Sequence, residues 1–545
     1  MHGHGVGRGI TAGRALLMPA ALEPATDAPH FGDARAESER AEAALAGVAA
    51  DLTALAERAT GDASDILRAA ALMAEDPALA EGIRRLIVAG ASAEFAVQQT
   101  VAEVAAIFAA AGGATAERAA DLRDLAQRTI ARLRGVPAPA VPHSSEPFVL
   151  IARDLAPADT ALLDPAMVLA IATEEGGPTS HTAILARAMA LPAVVGIPGL
   201  LGAIRDGQHV IVDAQAGRIE IGPSEDSLRA AVVERARREA EASAPVTPGA
   251  LADGTPVQLL TNVGGAEEAA AALQLGAEGV GLFRTELLFL DATTPPSVAW
   301  QTEQYTAMLR AFEGKRVVVR VLDAGADKPL AFLHNAAEEN PALGLRGIRA
   351  LRANEQILRD QLRALAAAGA ATAAELSVMA PMITDAEEAA WFARLSREHG
   401  LTSVGVMIEV PSAALLAESI MREVDFVSIG TNDLTQHTLA ADRSLGAVAH
   451  FQNPWHPAVL RLVKMLGDAG LVSGTPVGVC GEAAADPALA AVLVGLGVTS
   501  LSMSAAALAE VRAELLMVTL DEARERAARV LLTASAAEAR SAAVG

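Results

Sequence analysis

From about Thr255 onward, short apolar runs alternate with longer stretches whose apolar residues recur every three to four positions. The runs centre on Leu260, Leu282, Val319, Val378, Val406, Val427, Val479 and Leu501. Each is continuous rather than alternating, as expected of a strand covered on both faces. Eight strand–helix units in the last ~290 residues match the arithmetic of a (β/α)8 barrel, about 250 residues plus insertions. The rival is an open doubly wound sheet. Three runs lead into polar groups, Glu409, Asp433 and Cys480. Barrels carry their reactive groups at the C-terminal ends of several strands, which favours the barrel.

The N-terminal half is patterned differently. Between Asp33 and Arg134 the period is helical almost throughout: Leu52, Leu55 and Ala56 share one face, and Ile83, Leu86 and Ile87 another. Breaks at Asp76-Pro77, Gly90 and Gly112-Gly113 predict antiparallel helices with short connections. After Pro137-Ala-Pro139 the pattern turns to strands, at Phe148–Ala152 and Met167–Ala172. A hairpin of His209–Asp213 and Arg218–Ile221 follows around Gly217, and a helix over Thr182–Met189 lies between. Residues 5–20 read as a short β segment with Gly turns, preceded by His2 and His4 in a frayed tail. Ser224–Ala242 reads as a charged amphipathic helix, ended by the Pro-containing run Ala244–Gly249. The expected fold is multidomain α/β. An α/β domain is assembled from 1–30 and 140–223, a helical subdomain is inserted at 31–139, a linker helix and hinge occupy 224–250, and a TIM barrel fills 251–545.

Composition narrows the function classes. Of 545 residues, 52% are hydrophobic but only 3% aromatic, so the core is built from Ala, Val, Leu and Ile. The net charge of −23 argues against a general nucleic-acid binder, and no basic segment suits an anionic membrane. The single cysteine, Cys480, excludes an intramolecular disulfide and a Cys-rich zinc site. The longest uncharged run, Pro487–Ala509, is interrupted by glycines and serines and reads as a helix, a turn and a buried strand rather than a membrane span. The start of the chain lacks a signal-peptide pattern, so a cytoplasmic location is expected.

Four features carry candidate chemistry. In Gly176-Gly-Pro-Thr-Ser-His181-Thr, a strand runs into glycines and a helix opens near His181. Backbone N–H groups at a helix start favour an anion, and a neutral imidazole there can accept a phosphoryl group. The bland alternative is a His capping a turn. Glu409 and Asp433 end two strand segments and together suit a hard cation bound through oxygen; alone, each could cap a helix or pair with Arg. Arg284, Arg320, Arg346 and Arg443 are strand-end or loop guanidiniums, matched to phosphate or carboxylate, though any one of them alone could be an ordinary ion pair. Cys480 sits at the end of a buried strand, either as a small hydrophobe or as a functional group beside the other strand-end residues.

These motifs together resemble the phosphoenolpyruvate-utilising enzymes. Within them the chain is similar, over nearly its whole length, to the phosphoenolpyruvate-protein phosphotransferases, the Enzyme I family of the bacterial sugar phosphotransferase system. Glu117-Arg-Ala-Ala-Asp-Leu-Arg-Asp124, Asp323-Ala-Gly-Ala-Asp-Lys328, Glu339-Asn-Pro-Ala-Leu-Gly344 and Leu501-Ser-Met-Ser504 extend the likeness. The resemblance implies that His181 is phosphorylated on Nε2 and that Thr160 orients its ring. It implies that Arg284, Arg320, Asn432 and Arg443 bind phosphoenolpyruvate, with Arg346 a further phosphate contact. Glu409 and Asp433 would hold Mg²⁺, and Cys480, as a thiol whose pKa nearby cations can lower, would protonate the enolate. It further implies that the helical subdomain binds the small carrier HPr, that the barrel forms a homodimer, and that the α/β domain swivels. His437 stands where the family commonly has Tyr, Leu345 and Gly347 replace Trp and Ala around Arg346, and Arg8 replaces Pro. A dikinase or synthase of the same superfamily would need an ATP-binding domain, and no Gly-rich nucleotide loop is present. A catalytically dead scaffold is opposed by the intact His181, Glu409, Asp433 and Cys480.

Overall fold

The eight apolar runs of the C-terminal half close into a single parallel barrel. The computed structural model describes every residue except 8, 20–21, 24, 27–31, 58–61, 112, 143, 156–158, 160–162, 165, 178–179, 181, 184–185, 187–188, 190, 215, 243–245, 291, 326–329, 334–337, 443–444, 446–447, 449–450 and 545. The chain forms two units, Met1–Arg237 and Arg238–Gly545, divided inside the helix Glu225–Ala242.

The first unit contains a seven-stranded sheet and a helical bundle. Its strands are β1 (His4–Val6), β2 (Ile10–Leu17), β3 (Phe148–Ala152), β4 (Val168–Thr173), β5 (Ala193–Val195), β6 (His209–Asp213) and β7 (Arg218–Ile221), in the order β1-β5-β4-β3-β2-β6-β7. Strands β2 to β5 are parallel, while β1, β6 and β7 join antiparallel. Phe148, Leu150 and Ala152 feed one apolar layer and Val149 and Ile151 the other, so the sheet is buried on both faces. The expected tail at His2 and His4 is instead a strand: His4 pairs with Val195, and the amino terminus donates to Ile219 O. A three-residue edge strand is held by backbone pairing, which leaves no side-chain pattern to read.

Between β2 and β3 lie α1 (Ala34–Ala56), α2 (Asp62–Ala74), α3 (Pro77–Val88), α4 (Ala93–Ala111) and α5 (Gly113–Arg134). The sequence breaks mark the connections. Asp76 caps α3 through Ala78 N–H, with Pro77 at the first helical position, and Gly90 takes a positive φ after the helix ends. Leu52, Ile83 and Ile87 are fully buried in the bundle core, with Leu55 and Leu86 packed at its margin.

In the second unit the barrel strands are β8 (Gln258–Val263), β9 (Gly279–Arg284), β10 (Arg316–Arg320), β11 (Glu375–Ala380), β12 (Val404–Ile408), β13 (Phe426–Gly430), β14 (Val477–Cys480) and β15 (Ser500–Met503). Neighbours run in sequence order, with β15 closing on β8, and all pairs are parallel. Alternation sorts the side chains. Val317 and Val319 face the surrounding helices, while Val318 joins Leu282, Met379, Met407, Phe426 and Cys480 inside. The Pro487–Ala509 run resolves into a helix, Pro487–Gly495, a turn at Gly497 and β15. Among the described residues, no helix is long and apolar enough to cross a membrane.

Candidate active site

The polar residues singled out in the barrel gather at the C-terminal ends of its strands. Arg284 is the last residue of β9, Arg320 of β10 and Cys480 of β14; Glu409 follows β12 directly. Asn432 and Asp433 open the helix Thr431–Leu439 after β13, and Arg346 lies just before the helix Ile348–Ala353.

A ladder of alternating charges joins them. Arg320 Nη2 donates to Glu286 Oε1, and its Nη1 lies 3.2 Å from Asp323 Oδ2. Asp323 also takes a two-pronged contact from Arg346, whose Nε and Nη2 each donate at 3.2 Å. Arg346 Nη1 in turn donates to Asp433 Oδ1 at 3.0 Å. All of these groups are buried. Burial works against the charge of Arg320, but the carboxylates of Glu286, Asp323 and Glu409 outweigh it and hold the guanidinium above its usual range. Arg346 is raised likewise by Asp323 and Asp433 against its own burial.

Glu409 is the strained member. Burial, then the negative charges of Asp433 and Asp323, push its pKa up to about 8 against the pull of Arg320 and Arg346. Oε1 takes a long contact from Met382 N–H at 3.5 Å, and Oε2 is buried with no hydrogen-bond partner. A carboxylate in this state is matched to an incoming cation. Among the described residues no three His, Cys, Asp or Glu side chains form a ready-made metal cage. Of the two carboxylates expected to hold a cation, Asp433 is engaged by Arg346 through Oδ1, and Glu409 carries the partnerless oxygen.

Cys480 is buried beside this ladder. Ser428 Oγ donates to its Sγ at 3.3 Å, and Sγ lies 3.7 Å from Ile429 O. Burial pushes the thiol up to about 11, with Ser428, Arg320 and Arg284 pulling the other way. The expectation that cations lower this thiol is thus corrected: desolvation wins, and the group stays protonated at neutral pH. Gly481 follows with φ +135°, where a Cβ would lie 2.4 Å from Thr431 Oγ1. That close approach lets Glu482 N–H donate to Asn432 Oδ1 at 3.2 Å and fixes the β13 and β14 loops together.

His437 places Nδ1 3.0 Å from Glu409 O, and its Nε2 is buried with no partner. Gly347, flanking Arg346, takes φ +58° against Pro381 and Met382, a conformation that favours glycine. Three expected site residues, Thr160, His181 and Arg443, lie outside the described residues. Around His181, Ser180 Oγ accepts Ala183 N–H at 3.3 Å, as at a helix start, and Thr182 Oγ1 donates to Asp154 Oδ1 at 3.0 Å. Sequence reasoning assigned no role to Asp323, Glu286 or Ser428. The signal available was position: each lies in or within three residues of a barrel strand whose end carries an expected site residue.

Comparison with known proteins agrees with this architecture. Residues 238–520 match the PEP-binding domain of PEP-utilising enzymes, 144–217 their mobile domain and 2–118 their N-terminal domain. A phosphoenolpyruvate-protein phosphotransferase of Streptomyces coelicolor is 52% identical over 546 residues, covering 100% of this chain and 98% of the relative. One of Haloferax volcanii is 39% identical, covering 89% and 87%. A multiphosphoryl transfer protein of Rhodobacter capsulatus is 41% identical over 87% of this chain, which spans 58% of that longer relative. With its full-length identity and all three domains matched, the chain belongs to the phosphoenolpyruvate-protein phosphotransferase family of PEP-utilising enzymes.

Proposed function

We propose that the protein transfers the phosphoryl group of phosphoenolpyruvate to its own His181 and then to a histidine of HPr, the first step of sugar uptake by a phosphotransferase system. The observation that carries this reading is the buried ladder of arginines and carboxylates at the barrel mouth, next to a protonated thiol. A phosphate and a carboxylate on one small substrate call for several guanidiniums, and Arg284, Arg320, Arg346 and Arg443 supply them together with the amide of Asn432. His181 attacks phosphorus in line from Nε2, with Thr160 orienting the ring. As the bridging oxygen leaves, the arginines balance the negative charge that moves onto the enolate. Cys480 then gives its proton to the methylene carbon, yielding pyruvate. An enolate carbon is a far stronger base than a thiolate, so a thiol near 11 still donates downhill, and it is never lost to ionisation at neutral pH.

Glu409 and Asp433 are the residues that would hold Mg²⁺, which supplies charge neutralisation to the phosphoryl oxygens. The partnerless Glu409 Oε2 supports that role. One histidine must serve two partners, so the phosphohistidine domain, 1–30 with 140–223, moves about the 224–250 segment. HPr docks on the helical subdomain, 31–139, and the barrel pairs two copies of the chain. The test is incubation with labelled phosphoenolpyruvate and Mg²⁺, with and without HPr. The expected product is an acid-labile, base-stable phosphoryl group on the protein that passes to HPr and is missing from His181→Ala. Label retained in His181→Ala overturns the assignment.

A further inference from the structure

Behind the arginine ladder lies a second polar system, uncharged and wholly buried. Its centre is Gln361, on the helix Glu355–Ala370, with no exposed surface. Gln361 Nε2 donates to Thr285 Oγ1 at 3.1 Å and to Tyr305 OH at 3.0 Å, and Gln361 Oε1 accepts Leu322 N–H at 3.1 Å. Thr285 Oγ1 passes its own hydrogen to Arg320 O at 2.8 Å, and Tyr305 OH donates to Gln301 Oε1 at 3.3 Å. Burial holds the Tyr305 phenol well above its usual range, so it remains a donor.

The direction of every bond in this system is fixed. Leu322 N–H can only donate, so the Gln361 carbonyl must face it, and the amide hydrogens must face Thr285 and Tyr305. Thr285 and Tyr305 then have one free hydrogen each, and each has one acceptor within reach. A flipped amide would set two donors against each other in a dry core, at the cost of an unsatisfied group.

The connections matter because of where they end. Thr285 directly follows Arg284, Arg320 ends β10, and Leu322 N–H lies between Arg320 and Asp323, the carboxylate that grips both Arg320 and Arg346. We infer that Gln361 and Thr285 are positioning residues, which hold the ends of β9 and β10 in one register and so set the spacing of Arg284 and Arg320 for the substrate phosphate. The inference rests on the phosphoenolpyruvate-binding reading of those two arginines. Neither Gln361 nor Thr285 touches substrate; both act through the backbone that carries the guanidiniums.

Three full-length variants test it: Thr285→Val, which keeps volume and removes the link to Arg320 O; Gln361→Met, which removes all three Gln361 bonds; and the double variant. Label uptake from phosphoenolpyruvate with Mg²⁺ gives KM and kcat, and the reverse labelling of His181 from phosphorylated HPr serves as the internal control, since it does not use the barrel arginines. Each single variant should raise KM for phosphoenolpyruvate by roughly 10- to 100-fold, with a smaller change in kcat, because modest misplacement of binding groups is costly. The double variant should fall clearly short of the product of the two single effects, because both changes remove the Gln361–Thr285 bond that links the two strand ends. Labelling from phosphorylated HPr should be unchanged. An unchanged KM in folded Thr285→Val, additive effects in the double variant, or equal loss in the HPr reaction overturns the inference while leaving the proposed function standing. Wild-type protein that takes no label from phosphoenolpyruvate overturns both.

Discussion

The helical bundle and the barrel mouth are both rich in ion pairs, and they use them in opposite ways. In the bundle, Arg35–Glu39, Arg84–Glu42 and Arg132–Asp51 all keep their heads in solvent. Such pairs contribute between nothing and about 1 kcal/mol each. At the barrel mouth, Arg346 is 1% exposed, and its partners Asp323 and Asp433 are 0% and 8% exposed. Taking those charges out of water costs more than their mutual attraction returns unless the geometry is excellent, and well-packed apolar residues would often be as stable or better. The bundle's charges keep a surface soluble. The barrel's charges are buried where solvent cannot repay their desolvation, which is the arrangement expected of groups kept for the proposed ligand binding rather than for stability.

The largest effect that could break the contrast is expected at Glu409. Glu409→Gln should lower labelling from phosphoenolpyruvate by about 1,000-fold, the scale of losing one electrostatic anchor. It should not lower the thermal midpoint of the metal-free protein below about pH 8, because the amide fills the same space as the protonated carboxyl it replaces. The pH dependence sharpens this. In the metal-free fold the Glu409 carboxyl holds its proton up to about 8, whereas the unfolded chain releases it near 4.5. Between those values the native state binds the extra proton, so this group's contribution to stability falls as pH rises through the window. Thermal unfolding of metal-free protein from pH 5 to 8 should show a shallower decline in Glu409→Gln than in wild type. A variant that melts well below wild type would make Glu409 structural and remove the contrast.

The next largest effect concerns the exception inside the helical region. Arg128, on α5, donates to Asp124 at 2.7 Å and to Asp159 at 2.8 Å, and Asp159 is buried. The two carboxylates outweigh the desolvation of Arg128 and hold it above its usual range. Unlike its neighbours, this pair joins the bundle to the segment after β3. Arg128→Ala takes the guanidinium away from a buried carboxylate and should cost about 3 kcal/mol locally. Hydrogen exchange along α5 should accelerate while the barrel strands stay protected. Cys480→Ser comes next. It should fold and bind phosphoenolpyruvate but turn over about 100-fold more slowly, the usual worth of a positioned acid. Phosphoenolpyruvate stereospecifically labelled at its methylene carbon should then give pyruvate of lowered methyl chirality. Wild-type rate with full stereoselectivity would return Cys480 to the role of a buried strand residue.

What was legible in the sequence follows from the same physics. All eight barrel strands were readable because a parallel strand buried on both faces is a continuous apolar run, and the bundle's breaks were readable because Asp-Pro and Gly act locally. The site was half readable. Arg320, Glu409 and Cys480 could be placed at strand ends, but the partners that decide their behaviour could not. Asp323 meets Arg346 across 23 positions and Arg346 meets Asp433 across 87, and no local pattern encodes such contacts. Gln361 was invisible for a related reason: on an amphipathic helix, a glutamine in the core stripe reads as an ordinary polar interruption. The rise of Cys480 toward 11 was missed because the nearby arginines were legible and the depth of burial was not.

The smallest expected effect is the most direct control on the contrast. Arg132 Nη1 donates to Asp51 Oδ2 at 2.8 Å, a geometry as good as any at the barrel mouth, yet both side chains are about half exposed or more, at 49% and 67%. If contact geometry alone set the worth of an ion pair, Asp51→Ala would be as damaging as removing Asp159. If solvent screening sets it, the Arg132 guanidinium turns to water at little cost, and the change should stay below about 0.5 kcal/mol. Arg132 lies across Gly47, where a Cβ would come within 2.4 Å of its guanidinium, so its position is also held by packing that Asp51→Ala leaves intact. Thermal unfolding at low and at high salt separates the two accounts. Screening predicts that the small difference between wild type and Asp51→Ala vanishes in 1 M salt, where the Debye length falls to about 3 Å. A difference of several degrees that persists in high salt would mean that the bundle's surface pairs carry structural weight, and the division between solvent-facing and function-bearing charge would have to be redrawn.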